Sequence, residues 1–539
     1  MNIKFNFKIS NILYFIISFF LIIGLYLNYK FLNLNFYNQS MDTAGMADLI
    51  NNIANDNGST SSLWSSVRSF RVILGNIDLI CIDKFRNASN FDFDVIKNHS
   101  WYASYLLGFF IKFGFGANFL VNILTLLSYS LSIFLILFYF LKNNINPILA
   151  LSFLILLVAN PIFAEALYGQ RYFSKLSIFP CLLFLFLYNY KNNDFHKFYI
   201  LVFLVIFLSL FHERTSLFIG VFLLFDFFIK ILEKQRIKNE DLIFLILSIY
   251  CLLIFFKTMY YTETPAKHAY EYDSFIRNFA YSFLNQDYQL KIMKMFFVIF
   301  PLLFFCFFSG KHFILIIIFL IPNIILNVGG SEKIGWSIHY HSYLSPYLFY
   351  YAATGFKVFL DKFSRISSTK VIFLPLVLLT AHSLFVEPHN YKNIFNYQDI
   401  VENKLLKNLK FSSNKNNLDL LNKHIEKKKT FFSIIPNTSS ISMRENHSVY
   451  FAAKDYKKIS FFPIWIGNSD YLIVDQVLEN NEFQVYIDKF SPKMIAPFYN
   501  NGSNAKDCIN SYILKTYKEI DRMDTSIQTR TIIYKKNLN

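Results

Sequence analysis

Residues 117–141 read ANFLVNILTLLSYSLSIFLILFYFL, an uncharged run that ends against Lys142. A helix rises about 1.5 Å per residue, so this run is long enough to cross a hydrocarbon core of about 30 Å. Helix is the expected form, because a lipid-exposed backbone must satisfy its own hydrogen bonds. Working outward from it, comparable runs occupy roughly 147–164, 173–190, 198–211, 214–232, 242–257, 292–309, 312–328, 341–360 and 371–386. A first run from Asn11 to about Leu32 brings the expected number of spans to about eleven. That first run follows Lys4 and Lys8. It is too long for a signal peptide and lacks a small-residue cleavage site, so it reads as a retained anchor with its basic end in the cytoplasm.

Composition agrees with a lipid solvent. The chain has 539 residues, is 54% hydrophobic with 66 Phe, and carries only 16% charged residues, a balance foreign to a water-soluble globule. The formal charge of +16 is spread over short loops and the tail rather than gathered in a stripe, which argues against nucleic acid as a partner. Cys181, Cys251 and Cys306 lie inside apolar runs, while Cys81 and Cys508 are isolated in polar segments. No zinc or redox spacing results, and a Cys81–Cys508 disulfide is left open.

With the N-terminus inside, the inner connections fall at Lys142, Lys191–Lys197, Lys230–Lys238, Lys311 and Lys362–Lys370, each carrying Lys or Arg as the positive-inside rule asks. The outer turns around Glu165, Glu213 and Glu332 hold few basic residues. The expected fold is therefore mainly α: a polytopic helix bundle in the bacterial inner membrane over 1–386. Outer loops cover 36–100 and 258–291. The segment WYASYLLGFFIKFGFG at 101–116, interrupted by Lys112, reads as an interfacial helix closing an outer loop that spans 36–116. From 387 to 539 the chain turns polar, and the runs TFFSIIP, SVYFAA, DYLIVDQ and TRTIIYKK read as strands of a small extracytoplasmic α/β domain.

This topology places Asp42, His99, Glu165, Arg171, His212, Glu213, Arg214, His339 and His341 at the outer face. Ionisable residues at helix ends near lipid are costly to bury and often functional. Each also has a plain structural reading, as a helix cap or a headgroup contact. Asp42 in QSMDTAGMADLI is as well placed to be an N-cap as a general base. Trp101 and Tyr102 suit the aromatic belt. His339 and His341 share a face only on an extended segment, and with no carboxylate nearby they are not assigned a metal.

The order of these features resembles the GT-C glycosyltransferases: one helix, a long outer loop that opens with an acid, then NHSWYASYLLGFFIKFGFGANFLVNILTLL. Ser100 and Trp101 stand where that superfamily has prolines after its histidine. More closely, the chain resembles an uncharacterised bacterial membrane family grouped with GT-C proteins, domain of unknown function 2079. The matching blocks are Asp42, the His99 segment, LFHERTSLFIGVFLLFDFF, HYHSYLSPYLFY and the tail pattern IIPNTSSISMRENHSVYFAAKDYKKISFFP before SDYLIVDQ. His212 and Glu213 stand where a Lys-Glu pair is more usual.

The resemblance implies transfer of a sugar from a polyprenyl-phosphate donor to a cell-envelope glycan or lipid acceptor at the outer face, with membrane lipid as the surrounding partner. It gives Asp42 the part of catalytic base. Glu165 is the second catalytic candidate, orienting the acceptor or helping a divalent cation. His99, Arg171, Glu213, Arg214, His339 and His341 become substrate-binding residues. A transporter or flippase of a lipid-linked or polar substrate, and a non-catalytic membrane protein, are the competing readings.

Overall fold

A computed structural model of the chain describes residues 12–19, 21, 41–65, 101–160, 163, 172–190, 195–261, 299–325, 342–363, 374–375, 377–378, 417–452, 456, 458–462, 466–478, 483–484, 502–524 and 529–537. Its labelled helices are α1 (Met41–Ala54), α2 (Ala103–Lys112), α3 (Ala117–Lys142), α4 (Pro147–Ala159), α5 (Phe173–Leu176), α6 (Ile178–Tyr188) and α7 (Phe195–Ser209). They continue with α8 (Glu213–Leu232), α9 (Asn239–Tyr261), α10 (Phe313–Ile325), α11 (Ser345–Lys362), α12 (Asn417–Phe432), α13 (Ser448–Phe451) and α14 (Gly502–Thr516). The strands are β1 (Ser440–Met443), β2 (Lys458–Phe461), β3 (Tyr471–Val477), β4 (Phe483–Gln484), β5 (Tyr517–Asp524) and β6 (Thr529–Lys536). Two compact units result, one of 1–31, 97–103 and 122–396, the other of 32–96, 104–121 and 397–539.

The first unit is helical. Helices α3, α8 and α9 are long and apolar enough to cross a membrane, and α4, α7 and the α5–α6 stretch are shorter apolar helices. Helix α3 buries Tyr129, Ile133, Ile136 and Phe140 on one face yet leaves Leu127, Leu131 and Phe138 exposed on the other. A helix apolar all round is at home where lipid replaces water. Helix α4 starts sharply because Asn146 accepts the Ile148 N–H at 2.9 Å and Pro147 occupies the first turn, where its missing N–H costs nothing. The Tyr14 hydroxyl, on the helical stretch 12–19, donates to the Ile145 carbonyl at 2.8 Å in the turn before α4.

Close packing needs small residues where backbones meet. At Gly220 an added Cβ would stand 3.1 Å from the Ser248 carbonyl oxygen, and Ser248 Oγ donates to the Gly220 carbonyl at 2.7 Å. Helices α8 and α9 thus pack backbone against backbone. Phe153 and Phe356 stack at 4.9 Å, with Phe305 5.0 Å from Phe356, forming an aromatic core between α4, α11 and the helical stretch 299–307. At one end of the bundle Lys230 Nζ lies 2.8 Å from carboxylate oxygens of both Asp226 and Asp241. The Tyr188 hydroxyl donates to Asp226 at 2.6 Å. One cation between two acids ties α6, α8 and α9 together.

The second unit carries the sheet, ordered β2-β1-β3-β6-β5, with β4 paired to β3. Strands β2, β1 and β3 are parallel, with Ile441 opposite Ile459 and Tyr471. Strand β6 runs antiparallel to β3, Val474 opposite Ile532, and β5 antiparallel to β6. Of the parallel strands only β3 opens with a continuous hydrophobic run, Tyr471–Val474, all buried, while β1 and β2 alternate apolar residues with Ser440, Ser442, Lys458 and Ser460. Two sequence expectations are corrected. TFFSIIP and SVYFAA, expected as strands, instead supply the end of α12 and all of α13. Short apolar runs do not by themselves separate strand from buried helix, and tertiary packing decided these. DYLIVDQ and TRTIIYKK form β3 and β6 as expected.

Helices α1 and α2 belong mostly to this unit. The Asn51 side chain donates to the Ala452 carbonyl beside α13 at 2.8 Å. Gly108 of α2 lets that helix sit against Ile53, where a Cβ would come within 2.7 Å of the Ile53 side chain, and Lys112 reaches Asp56 at 2.8 Å. Opposite this contact α2 presents Tyr105, Leu106, Phe109 and Phe110, all exposed. Their spacing puts them on one helix face.

Candidate functional site

One group of chemistry-bearing side chains of the first unit gathers at the head of α8. His212 ends the preceding turn in an extended conformation and its Nδ1 accepts the Arg214 N–H at 3.1 Å, acting as the N-cap. The same Nδ1 lies 3.1 Å from Glu213 Oε2. These contacts need different protonation: a bare Nδ1 accepts from Arg214, whereas a protonated one donates to Glu213.

Burial around this cap is extensive: His212, Glu213 and Arg214 are 3%, 2% and 7% exposed. Trp101 lies 5.6 Å from the His212 ring, Tyr343 5.0 Å from it on another side, and Tyr172 and Phe173 pack edge-on and tilted against Trp101. The Arg214 guanidinium carbon is 5.9 Å from the Tyr343 ring centre, within cation–π range. Ser174 and Ser342 share a hydrogen bond of 2.9 Å. Backbone pairing of Ala103 N–H with the Leu210 carbonyl at 2.9 Å joins the start of α2 to the turn that carries His212. Four separated stretches, 101–103, 172–175, 210–214 and 342–343, thus meet at one place.

Of the residues expected from sequence, Glu213 and Arg214 are brought together here. Asp42 lies in the first turn of α1, inside the helix rather than before it, and belongs to the second unit. His99, Glu165, Arg171, His339 and His341 lie outside the described residues. Sequence reasoning passed over Lys175, which is fully buried in α5 next to Ser174. The available signal was a lone cation at the head of an apolar run. It also read Trp101 as a surface anchor, whereas Trp101 is buried against His212. No group of three or more metal-ligating side chains occurs among the described residues.

A groove of about 750 Å³ opens beside this cluster, lined by Tyr102, Leu210, Leu253, Phe256, Lys257 and Tyr260 among others. Tyr102 and Leu210 are the sequence neighbours of Trp101 and Phe211, so the groove begins where the cluster ends. Its walls are almost wholly apolar, with Lys257 the one cation among its lining residues. Such a groove takes an apolar chain, and its cation can meet an anionic head.

Neither a family model, nor a curated protein, nor a solved structure matches this chain. The functional reading therefore rests on the site itself and on the resemblance of its sequence blocks.

Proposed function

We propose that the protein is a GT-C-like membrane glycosyltransferase that moves a sugar from a polyprenyl-phosphate donor to a cell-envelope acceptor at the outer face. In this reading about eleven helices span the bacterial inner membrane, the N-terminus is cytoplasmic and the C-terminal domain extracytoplasmic. The observation that carries it is the apolar groove with Lys257 beside the buried His212–Glu213–Arg214 head of α8. A lipid-linked substrate needs that combination: lateral apolar space for the chain, and cations and helix N–H groups for the phosphate.

In the proposed step the bond from the sugar's anomeric carbon to the phosphate oxygen breaks as the acceptor oxygen bonds to that carbon. The acceptor's proton passes to a carboxylate, a part given to Asp42 by the resemblance. Polyprenyl phosphate departs with increased negative charge, which Arg214 and Lys257 would stabilise more in the transition state than in the ground state. Glu165, His99, Arg171, His339 and His341 keep their expected parts in acceptor and donor binding, with a divalent cation at Glu165 left open. A transporter would favour broken helices near the bilayer midplane. Helices α8 and α9 run unbroken over Glu213–Leu232 and Asn239–Tyr261, which supports the enzyme.

Native mass spectrometry with lipid extraction of the detergent-purified protein tests the reading. A polyprenyl phosphate or its glycosylated form is expected to co-purify and to persist in Asp42→Asn. Recovery of bulk phospholipid alone would overturn it.

A further inference from the structure

A second concentration of ionisable groups lies wholly within the second unit, around its sheet. Asp475 of β3 is 3% exposed. Its Oδ1 takes hydrogen bonds from His447 Nε2 at 2.8 Å and Thr531 Oγ1 at 2.6 Å, and its Oδ2 from Asn446 Nδ2 at 2.9 Å. Those three donors take three of the carboxylate's roughly four acceptor sites. Arg444 stands further off, with Nη1 3.8 Å from Oδ2, and Lys428 of α12 approaches closely enough to feel the charge of both Asp475 and His447. His424, one turn before Lys428, faces the same group.

The charges do not balance. Burial tends to raise Asp475, but His447 and Arg444 outweigh it and hold its carboxyl well below the usual carboxylate range, so it carries one negative charge. Burial lowers the Lys428 ammonium and the His447 ring, and burial with the cations Lys428 and Lys427 takes His424 down to about 4. Two cations, Lys428 and Arg444, thus share one acid that three other donors already engage. His447 Nδ1, Arg444 Nη1 and His424 Nε2 are buried and hydrogen-bonded to nothing among the described residues; His447 itself is wholly buried. Unsatisfied buried polar groups are expensive, and buried charge is normally compensated.

Topology gives the same place a reason to bind. Strand β1 is followed by β2 on one side and, after a return across it, by β3 on the other, all parallel. The order reverses between β1 and β3, and open α/β sheets bind ligands outside the carboxyl ends of the strands at such a switch point. Arg444, Asn446 and His447 directly follow the carboxyl end of β1, and Asp475 sits in the carboxyl half of β3.

We propose that the C-terminal domain binds a small phosphorylated ligand between the carboxyl ends of β1 and β3, held by Arg444, Lys428, His424 and His447. A phosphoryl group has acceptor oxygens for the guanidinium fork and the ammonium together, and supplies the missing negative charge. Asp475 is a positioning residue: by accepting from His447 Nε2–H it leaves Nδ1 a bare acceptor, which suits the P–O–H of a singly protonated phosphoryl group. The site is independent of the reading of the membrane helices.

The test is isothermal titration calorimetry on the full-length detergent-purified protein, with inorganic phosphate in one arm and glucose 1-phosphate in the other. Saturable binding in either arm is expected, the tighter arm identifying free phosphate or a phosphate ester as the natural chemistry. Affinity should fall about tenfold or more in Lys428→Gln and in Arg444→Gln, the loss of one charge-assisted contact. Lys428 is half-buried on a helix, and its one ring contact, Nζ 5.8 Å from the Tyr450 centroid, is weak enough that Lys428→Gln should still fold, which a thermal melt of the variant checks. No saturable binding in either arm up to about 10 mM, the weak end of specific affinity, would overturn the proposal. So would undiminished binding in a folded Lys428→Gln.

Discussion

Nδ1 of His212 stands 3.1 Å from Oε2 of Glu213 and 3.1 Å from the Arg214 nitrogen, at the buried head of α8. One ring atom therefore caps a helix and lies in contact with a carboxylate. His212→Asn separates the two, because Asn caps a helix well but removes the imidazole ring from beside Glu213 and Trp101. We expect this variant to express and to melt near the wild-type temperature while the proposed sugar transfer falls about tenfold or more, since displacing groups packed around a site costs about that much. Equal transfer in the two proteins would confine His212 to capping.

The groove makes a charge-specific prediction. Lys257→Glu places a carboxylate where the lipid phosphate is proposed to lie, so polyprenyl phosphate should disappear from the native mass spectrum. Lys257→Met, which keeps the stem and removes the charge, should retain a reduced amount. Unchanged lipid in both would move the donor elsewhere.

Asp48 of α1 provides a pH test of the second unit. It accepts Ser61 Oγ at 2.7 Å and the Leu63 N–H at 3.2 Å, but burial outweighs these bonds and pushes its carboxyl up to about 6. Because the folded pKa lies above the unfolded one, its contribution to stability is fully present below about pH 4 and is lost as pH rises through about 6. The loss at neutral pH is on the order of 2–3 kcal/mol. Asp48→Asn keeps an acceptor for Ser61 and Leu63 and does not titrate. Its stability relative to wild type, followed by thermal melts, should improve between about pH 4 and pH 6 and level off above.

Orientation can be read chemically. Cys181, Cys251 and Cys306 are buried, so a Cys81→Ser, Cys508→Ser background should be nearly silent to a membrane-impermeant maleimide. Gln235→Cys, in the exposed turn between α8 and α9, is expected to label only after cells are permeabilised. Labelling of intact cells would place this turn outside and reverse the proposed topology.

Among the described residues, the sequence by itself determined where α3, α4, α7, α8 and α9 lie and that the tail mixes strand with helix. Apolar runs, basic turns and the Asn146–Pro147 start signal are local, and local patterns are legible one segment at a time. β3 and β6 were legible for the same reason. TFFSIIP and SVYFAA were not, since a short apolar run suits a strand or a buried helix until its neighbours are known. Glu213 and Arg214 were readable as candidates because charge at the edge of an apolar run is conspicuous. Only the tertiary structure decided that His212 caps α8 under Trp101 and Tyr343, and that Lys175 is buried. It also decided that Asp475 and His447, 28 residues apart, share a hydrogen bond with Arg444 and Lys428 close by. These are meetings between residues distant in the chain, set by which faces pack together, and a one-dimensional pattern carries no record of them.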